Sequence, residues 1–309
     1  NWTLSSTINS FEMADAQMVN SSTGYAVGNN GNILKTSDGG LTWEFMAPPL
    51  TENWKSLHFF DATHGVVVSN DKVIYTNNGI SWNVLGGALT PLVSSTTLND
   101  VVMTSKTSAF IAGGNSGSGD IYKVNTSSGT LTLEGISGSP DVLNAICLAK
   151  PLSTPGGGTL YATGDAGTIV QYKESTNTWE ESLSTSNQRW TDQLSISGTH
   201  FNDVQFTDYI TGYAVGTGGE ILKTINAGET WFLFTMDNVS ADDIVGINFT
   251  NETNGVLVTA NGVQNFEDLT NRFSSRFWYD ELGRIVLSQN TRQYNKTVPA
   301  YSYSIYDEL

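Results

Sequence analysis

Thr23-Gly-Tyr-Ala-Val-Gly28-Asn-Asn-Gly-Asn-Ile33-Leu-Lys-Thr36-Ser-Asp-Gly-Gly-Leu-Thr-Trp43 returns at residues 211–231 as Thr-Gly-Tyr-Ala-Val-Gly-Thr-Gly-Gly-Glu-Ile-Leu-Lys-Thr-Ile-Asn-Ala-Gly-Glu-Thr-Trp. Extended back to Met13 and Phe201, the two copies align without a gap at an offset of 188, with 16 of 31 positions identical. A block this long repeated in one chain is the mark of a repeat architecture.

Weaker copies lie between and after these two. An apolar-x-apolar triplet recurs six times, as Ala16/Met18, Leu57/Phe59, Val101/Met103, Ala145/Cys147, Val204/Phe206 and Ile247/Phe249. Successive copies are 41, 44, 44, 59 and 43 residues apart, and the long step carries an insertion around 151–158. The segments alternate with period two and are rich in Val, Ile, Thr and aromatics, which predicts strands and excludes a helical solenoid. A period near 44 with four short strands per unit predicts an all-β propeller of about six, possibly seven, four-stranded blades over residues 1–266. The sixth copy lacks a closing Thr-Trp, and Trp2-Thr3-Leu4 resembles a stray fourth strand; it is expected to complete the last blade and remove two open edges.

The third and fourth strands of a unit are joined by a patterned turn. Thr36-Ser-Asp38-Gly-Gly40-Leu-Thr42-Trp43 fits [S/T]-x-D-x-G-x-T-W in full, and Asn226, Gly228, Thr230 and Trp231 repeat it with Asn for Asp. A looser copy runs through Asn77, Gly79 and Trp82. Asp or Asn bonds the amides of its own turn, Gly takes positive φ, and Trp buries a large surface between blades. These are hairpin clasps and not ligand sites.

On these residues the chain resembles the Asp-box (BNR) propellers and, within them, the photosystem-assembly-factor-like propellers. The resemblance implies a fold and leaves function open, since the clasp occurs in hydrolases, receptors and assembly factors. Sialidases of the group hold their substrate with three arginines. Arg189 is the one arginine between Asn1 and Asn271, so that activity is excluded. A hydrolase working through propeller carboxylates, or an assembly factor binding a protein, stays open.

The net charge of −16 over 309 residues repels polyphosphate partners, so nucleic acid is not expected. No apolar run nears the roughly 20 residues that span a bilayer, so no membrane insertion is expected. Cys147, the single cysteine, cannot form an internal disulfide and is expected to be buried and inert at a core position. His58 aligns with Gln17 and Gln205. The residue before the inner strand is Asp15, Asp100, Asn144 and Asp203 in four copies. This is read as turn chemistry or as a carboxylate ring able to hold a structural Ca²⁺. No other cofactor and no catalytic set is expected.

Composition shifts after Phe266. Tyr279-Asp280-Glu-Leu-Gly283-Arg284 is followed, at an offset of 27, by Tyr306-Asp307-Glu-Leu. These residues resemble the YD-repeat (RHS) family, whose hairpins coil into a hollow shell. Residues 267–309 would then be a linker and the first, truncated repeats. The resemblance implies a large exported or cell-surface protein in a toxin-delivery or adhesion setting, with the propeller binding a protein partner or the rest of its own shell.

Overall fold

The computed structural model describes residues 12–85, 96–137, 140–149, 159–173, 178–181, 199–236, 242–249, 254–259, 261–267, 276–279, 285–289 and 302–303. Six antiparallel sheets follow one another along the chain as the blades of a β-propeller. In the first blade the strands run Met13–Met18, Gly24–Gly28, Ile33–Thr36 and Glu44–Phe45, each paired with the next. The second, third and fifth blades repeat that order, starting at Ser56, Thr97 and Phe201. The fourth, starting at Leu143, gains a fifth strand where Ile136–Ser137 runs parallel to Thr178–Glu181. The sixth has three described strands, Ile244–Phe249, Asn254–Thr259 and Gly262–Glu267. A further three-stranded sheet comprises Arg276–Tyr279, Ile285–Gln289 and Ser302–Tyr303.

The blades hold together through apolar faces pressed against one another. Five hydrophobic clusters join first to second, second to third, and so on to fifth with sixth. The innermost strands also pack pairwise along that series. Alternation along each strand dictates this, because one set of side chains meets the preceding blade and the other the following blade.

The fourth blade corrects the sequence alignment by one residue. Cys147 pairs with Tyr161 as Gln17 pairs with Tyr25, so Ile146 and Leu148, not Ala145 and Cys147, match Ala16 and Met18. Ala145, Ile146, Cys147 and Leu148 are all apolar, so a period-two pattern cannot choose between faces there. Asn144 therefore matches Ala14 and not Asp15.

Candidate functional site

The central channel is lined by the first strand of each blade, and its polar groups form tiers that reach from one blade to the next. Asp15 accepts the Leu57 amide at 2.9 Å, Asp100 the Ile146 amide at 2.7 Å and Asp203 the Ile247 amide at 2.8 Å. Their other oxygens accept the amides of Ala16, Val101 and Val204 within their own strands. One residue earlier, the Nδ2 groups of Asn99, Asn144 and Asn202 donate to the carbonyls of Leu143, Phe201 and Ile244 at 2.8, 3.0 and 2.9 Å. Two residues after the carboxylates, Gln17, His58 and Gln205 accept the amides of Phe59, Met103 and Phe249. Cys147 holds the same tier, with its sulfur against the Phe206 amide, and packs against the cluster between the fourth and fifth blades; its position matches Gln17 and not Met18. Burial, then Asp203 and Asp100, push its thiol well above the usual range, which disfavours the thiolate.

Desolvation raises all three carboxyls: Asp15 upward, Asp100 to about 7 and Asp203 to about 6, with repulsion from other members of the trio adding to Asp100 and Asp203. Ser56, which takes the carboxylate position in the second blade, lies 2.6 Å from Asp100 and 3.2 Å from Asp15. It has one hydroxyl hydrogen for two carboxyl groups. Both contacts are satisfied when Asp100 carries a proton, donates it to Ser56 and lets Ser56 donate to Asp15. Four oxygens of the trio thus reach a neighbouring blade, while Oδ1 of Asp15 and of Asp203 accepts an amide of its own strand. Among the described residues, no three His, Cys, Asp or Glu side chains gather closely enough to hold one metal ion.

The clasps occupy the opposite extreme of the blades, at the turn between third and outermost strands. Asp38 accepts the Thr42 amide at 2.9 Å and its hydroxyl at 2.6 Å, while Thr36 Oγ1 accepts the Gly40 amide at 2.9 Å. The Thr42 side chain, its amide and the Thr36 hydroxyl draw the exposed Asp38 carboxyl down to about 2. Asn226 repeats the contacts with Thr230, and Thr224 those with Gly228. In the second blade the clasping residue is Asn78, not Asn77: Asn78 Oδ1 accepts the amides of Ile80 and Ser81 at 2.9 Å. This turn is one residue shorter, and counting back from Trp82 misplaces its anchor.

The clasps of the second and fifth blades also receive an aromatic from the blade before them. The Tyr25 ring stacks on Phe59 at 3.7 Å, and its hydroxyl donates to the Ala62 carbonyl at 2.8 Å. Tyr161 stacks on Phe206 at 4.3 Å and donates to the Ala227 carbonyl. Phe59 and Phe206 in turn meet Trp82 and Trp231 edge-on. Those two indoles are buried in inter-blade clusters, whereas Trp43 is only half-buried, because no described blade precedes it. Gly79 and Gly228 leave room for the tyrosines: a Cβ there would stand 2.7 Å from the Tyr25 hydroxyl and 2.5 Å from the Tyr161 ring.

Of the YD-type motif, Tyr279 ends the strand Arg276–Tyr279, and Asp280, Gly283, Arg284, Tyr306 and Asp307 lie outside the described residues, as does Trp2-Thr3-Leu4.

Antiparallel strand order places the clasps and the turns between first and second strands on one face of the disc. Leu41, Phe60, Ile80, Tyr209, Ile210 and Ile225 are exposed on it. The turns of the other face, Asn29–Gly31, Asp165–Gly167 and Thr217–Gly219, carry no large apolar side chain. The tiers in the channel, not noticed in the sequence beyond the aspartates, could have been found from the Asn-Asp pairs at Asn99 and Asn202.

No protein-family model and no curated protein matches the sequence. Solved structures of the same fold do. The chain is similar to YCF48 from Cyanidioschyzon merolae, at 17% identity and a TM-score of 0.55 over 83% of this chain and 96% of that one. It is likewise similar to YCF48 bound to D1 peptide, at 17% identity and a TM-score of 0.50 over 83% and 93% of the two chains. An ancestral GH74 enzyme gives 12% identity and a TM-score of 0.61, covering 89% of this chain and 37% of that one. These likenesses establish the β-propeller fold.

Proposed function

We propose that the chain is a non-catalytic propeller that binds a protein or peptide on its clasp face. The observation that carries this reading is an asymmetry among the described residues: six exposed apolar side chains stand at the clasps and first turns, and none on the turns Asn29–Gly31, Asp165–Gly167 and Thr217–Gly219 opposite. Exposed apolar groups set in a polar surround are the composition of a recognition surface. The channel supports the same reading from the other side. A carboxylate that accepts two or three backbone hydrogen bonds is held in place as a structural acceptor, and neither Asp100 nor Asp203 is left free to act on a substrate. A solved relative of the fold, YCF48, binds a peptide, which is consistent with this use of the architecture. The net charge of −16 favours a basic partner with apolar anchors.

Selection of a displayed random-peptide library against the full chain tests the proposal. Binders are expected to be cationic with apolar anchors and to be lost on the double variant Ile80→Asp, Ile225→Asp. Binders that keep their affinity for that variant, or turnover of a polysaccharide abolished by Asp100→Asn, would overturn it.

A further inference from the structure

The first and fifth blades share one backbone design on the clasp face and differ in what it presents. In the first, Asn20 Oδ1 accepts the amides of Ser22 and Thr23 at 2.9 and 2.8 Å; in the fifth, Asp208 Oδ1 accepts those of Ile210 and Thr211 at 2.7 Å. The Gly39 amide donates to the Ser22 carbonyl at 2.8 Å, and the Ala227 amide to the Ile210 carbonyl at 2.9 Å, so each first turn is tied to the clasp of its own blade. On this common frame the first blade carries Ser21, Ser22 and Ser37, whose counterparts at the offset of 188 are Tyr209, Ile210 and Ile225. All six are exposed, Tyr209 and Ile225 by 56% and Ile210 by 38%. Serine satisfies the geometry in the first blade, so neither turn nor clasp requires the apolar set. Ala227 adds a methyl at the same place, at φ +56° where the first copy has Gly39 at +77°, a backbone that favours glycine.

Charge distinguishes the same blade. Asp208 precedes Tyr209, and Glu229 belongs to the same clasp as Ile225; neither joins an ion pair among the described residues. Lys223 is the one lysine or arginine in 199–236, and it is buried against the rings of Tyr213 and Phe234. Beside Phe60 of the second blade, by contrast, Asp61 is met by Lys106 at 3.5 Å.

We propose that Tyr209, Ile210 and Ile225 form the anchoring subsite of the clasp face. Its occupant is a segment of a protein partner that sets an apolar side chain against Ile210 and Ile225 and a neighbouring arginine or lysine over the Tyr209 ring, with Asp208 and Glu229 as counter-charges. A cation is attracted to the face of an aromatic ring, and an aromatic ring beside apolar groups is the usual make-up of the few residues that dominate an interface. Unmatched carboxylates next to the patch select for a basic partner. The inference rests on the clasp-face reading and narrows it to one blade and one partner chemistry.

Peptides selected from a displayed random library against the full chain, titrated by fluorescence polarisation against two variants, test it. The first variant, Tyr209→Ser, Ile210→Ser, Ile225→Ser, installs the residues that the first blade already carries on this frame, and Tyr209→Ser alone is a milder version. The second, Leu41→Ser, Ile80→Ser, alters the same face in the first two blades. Affinity is expected to fall at least about tenfold on the triple variant, in smaller measure on Tyr209→Ser, and to stay within about twofold on the second. Loss on the Leu41 and Ile80 pair alone, or equal loss on both, overturns the fifth-blade assignment and leaves the clasp-face reading standing. Unchanged affinity for both overturns the two together. Selected peptides that carry no arginine or lysine overturn the stated occupant.

Discussion

Asp100 of the third blade accepts the amide hydrogen of Ile146 in the fourth at 2.7 Å, and no backbone ladder runs between those two strands. Side-chain hydrogen bonds form the channel tiers, beside a few backbone bonds at the junctions such as that from the Leu98 amide to the Asn70 carbonyl, so each tier is a separable contribution. Asp100→Ala strands the Ile146 amide in the wall, and the cost of an unmade bond at such a site is about 1–3 kcal/mol. Asp100→Asn keeps an oxygen for the Ile146 amide and an NH₂ for Ser56 but sets that NH₂ against the Val101 amide, and is expected to cost less than Asp100→Ala. Denaturant unfolding at pH 7 with unchanged m-value checks both.

The same residue sets a pH dependence of unusual sign. The folded chain raises Asp100 from its ordinary value of 3.8 to about 7 and Asp203 to about 6. Between those limits the folded state holds protons that the unfolded state has released, so stability falls as pH rises from about 4 to 7. The Asp100 share is at most about 4 kcal/mol. Melting temperatures at pH 5 and pH 8 are expected to differ more for the native chain than for Asp100→Asn. Parallel curves would show that Asp100 titrates normally.

Asp38 behaves in the opposite sense. Thr42 and Thr36 hold its carboxyl down to about 2, so the clasp is intact above the ordinary value of 3.8 and weakens as pH falls towards 2. Asp38→Asn copies the Asn226 clasp and should remove that acid-limb loss while leaving stability at pH 7 nearly unchanged.

Gly228 carries φ +75° and lies beneath the Tyr161 ring. Gly228→Ala is expected to cost about 2–4 kcal/mol, from the left-handed backbone and the displaced ring together. Circular dichroism melts will register this, and the double change with Tyr161→Ala should be less than additive, because the steric part disappears with the ring.

Two alanines sit where glycine is the better residue. Ala166 has φ +52°, at the turn position held by Gly218 in the fifth blade, and Ala227 has φ +56°, matching Gly39 of the first clasp. Ala166→Gly and Ala227→Gly should each stabilise the chain by up to about 1 kcal/mol by relieving left-handed backbone strain. A loss in either case would mean that the Cβ makes a packing contribution.

The propeller was legible because Thr23–Trp43 and Thr211–Trp231 keep every position that local geometry constrains: the glycine beneath a cross-strand side chain, the tyrosine that docks forward and the turn residues. Legibility failed where chemistry was degenerate. The run Ala145-Ile146-Cys147-Leu148 offers no polar residue to fix a face, so the sequence pattern sets the fourth blade one residue out and groups Asn144 with the aspartates. Asn77-Asn78 presents two candidate anchors for one clasp, and only the hydrogen bonds choose Asn78. The channel tiers join residues more than 40 apart in the chain, Asp100 to Ile146 for instance, and their partners are backbone amides with no sequence signature.

The most direct measurement of the central claim is a hydrogen-exchange footprint of the full chain with and without a peptide selected against it. Protection is predicted in the clasp-face segments 38–41, 78–81, 208–211 and 225–228. Protection confined to 29–31, 165–167 and 217–219, or to the channel strands, would contradict recognition on that face.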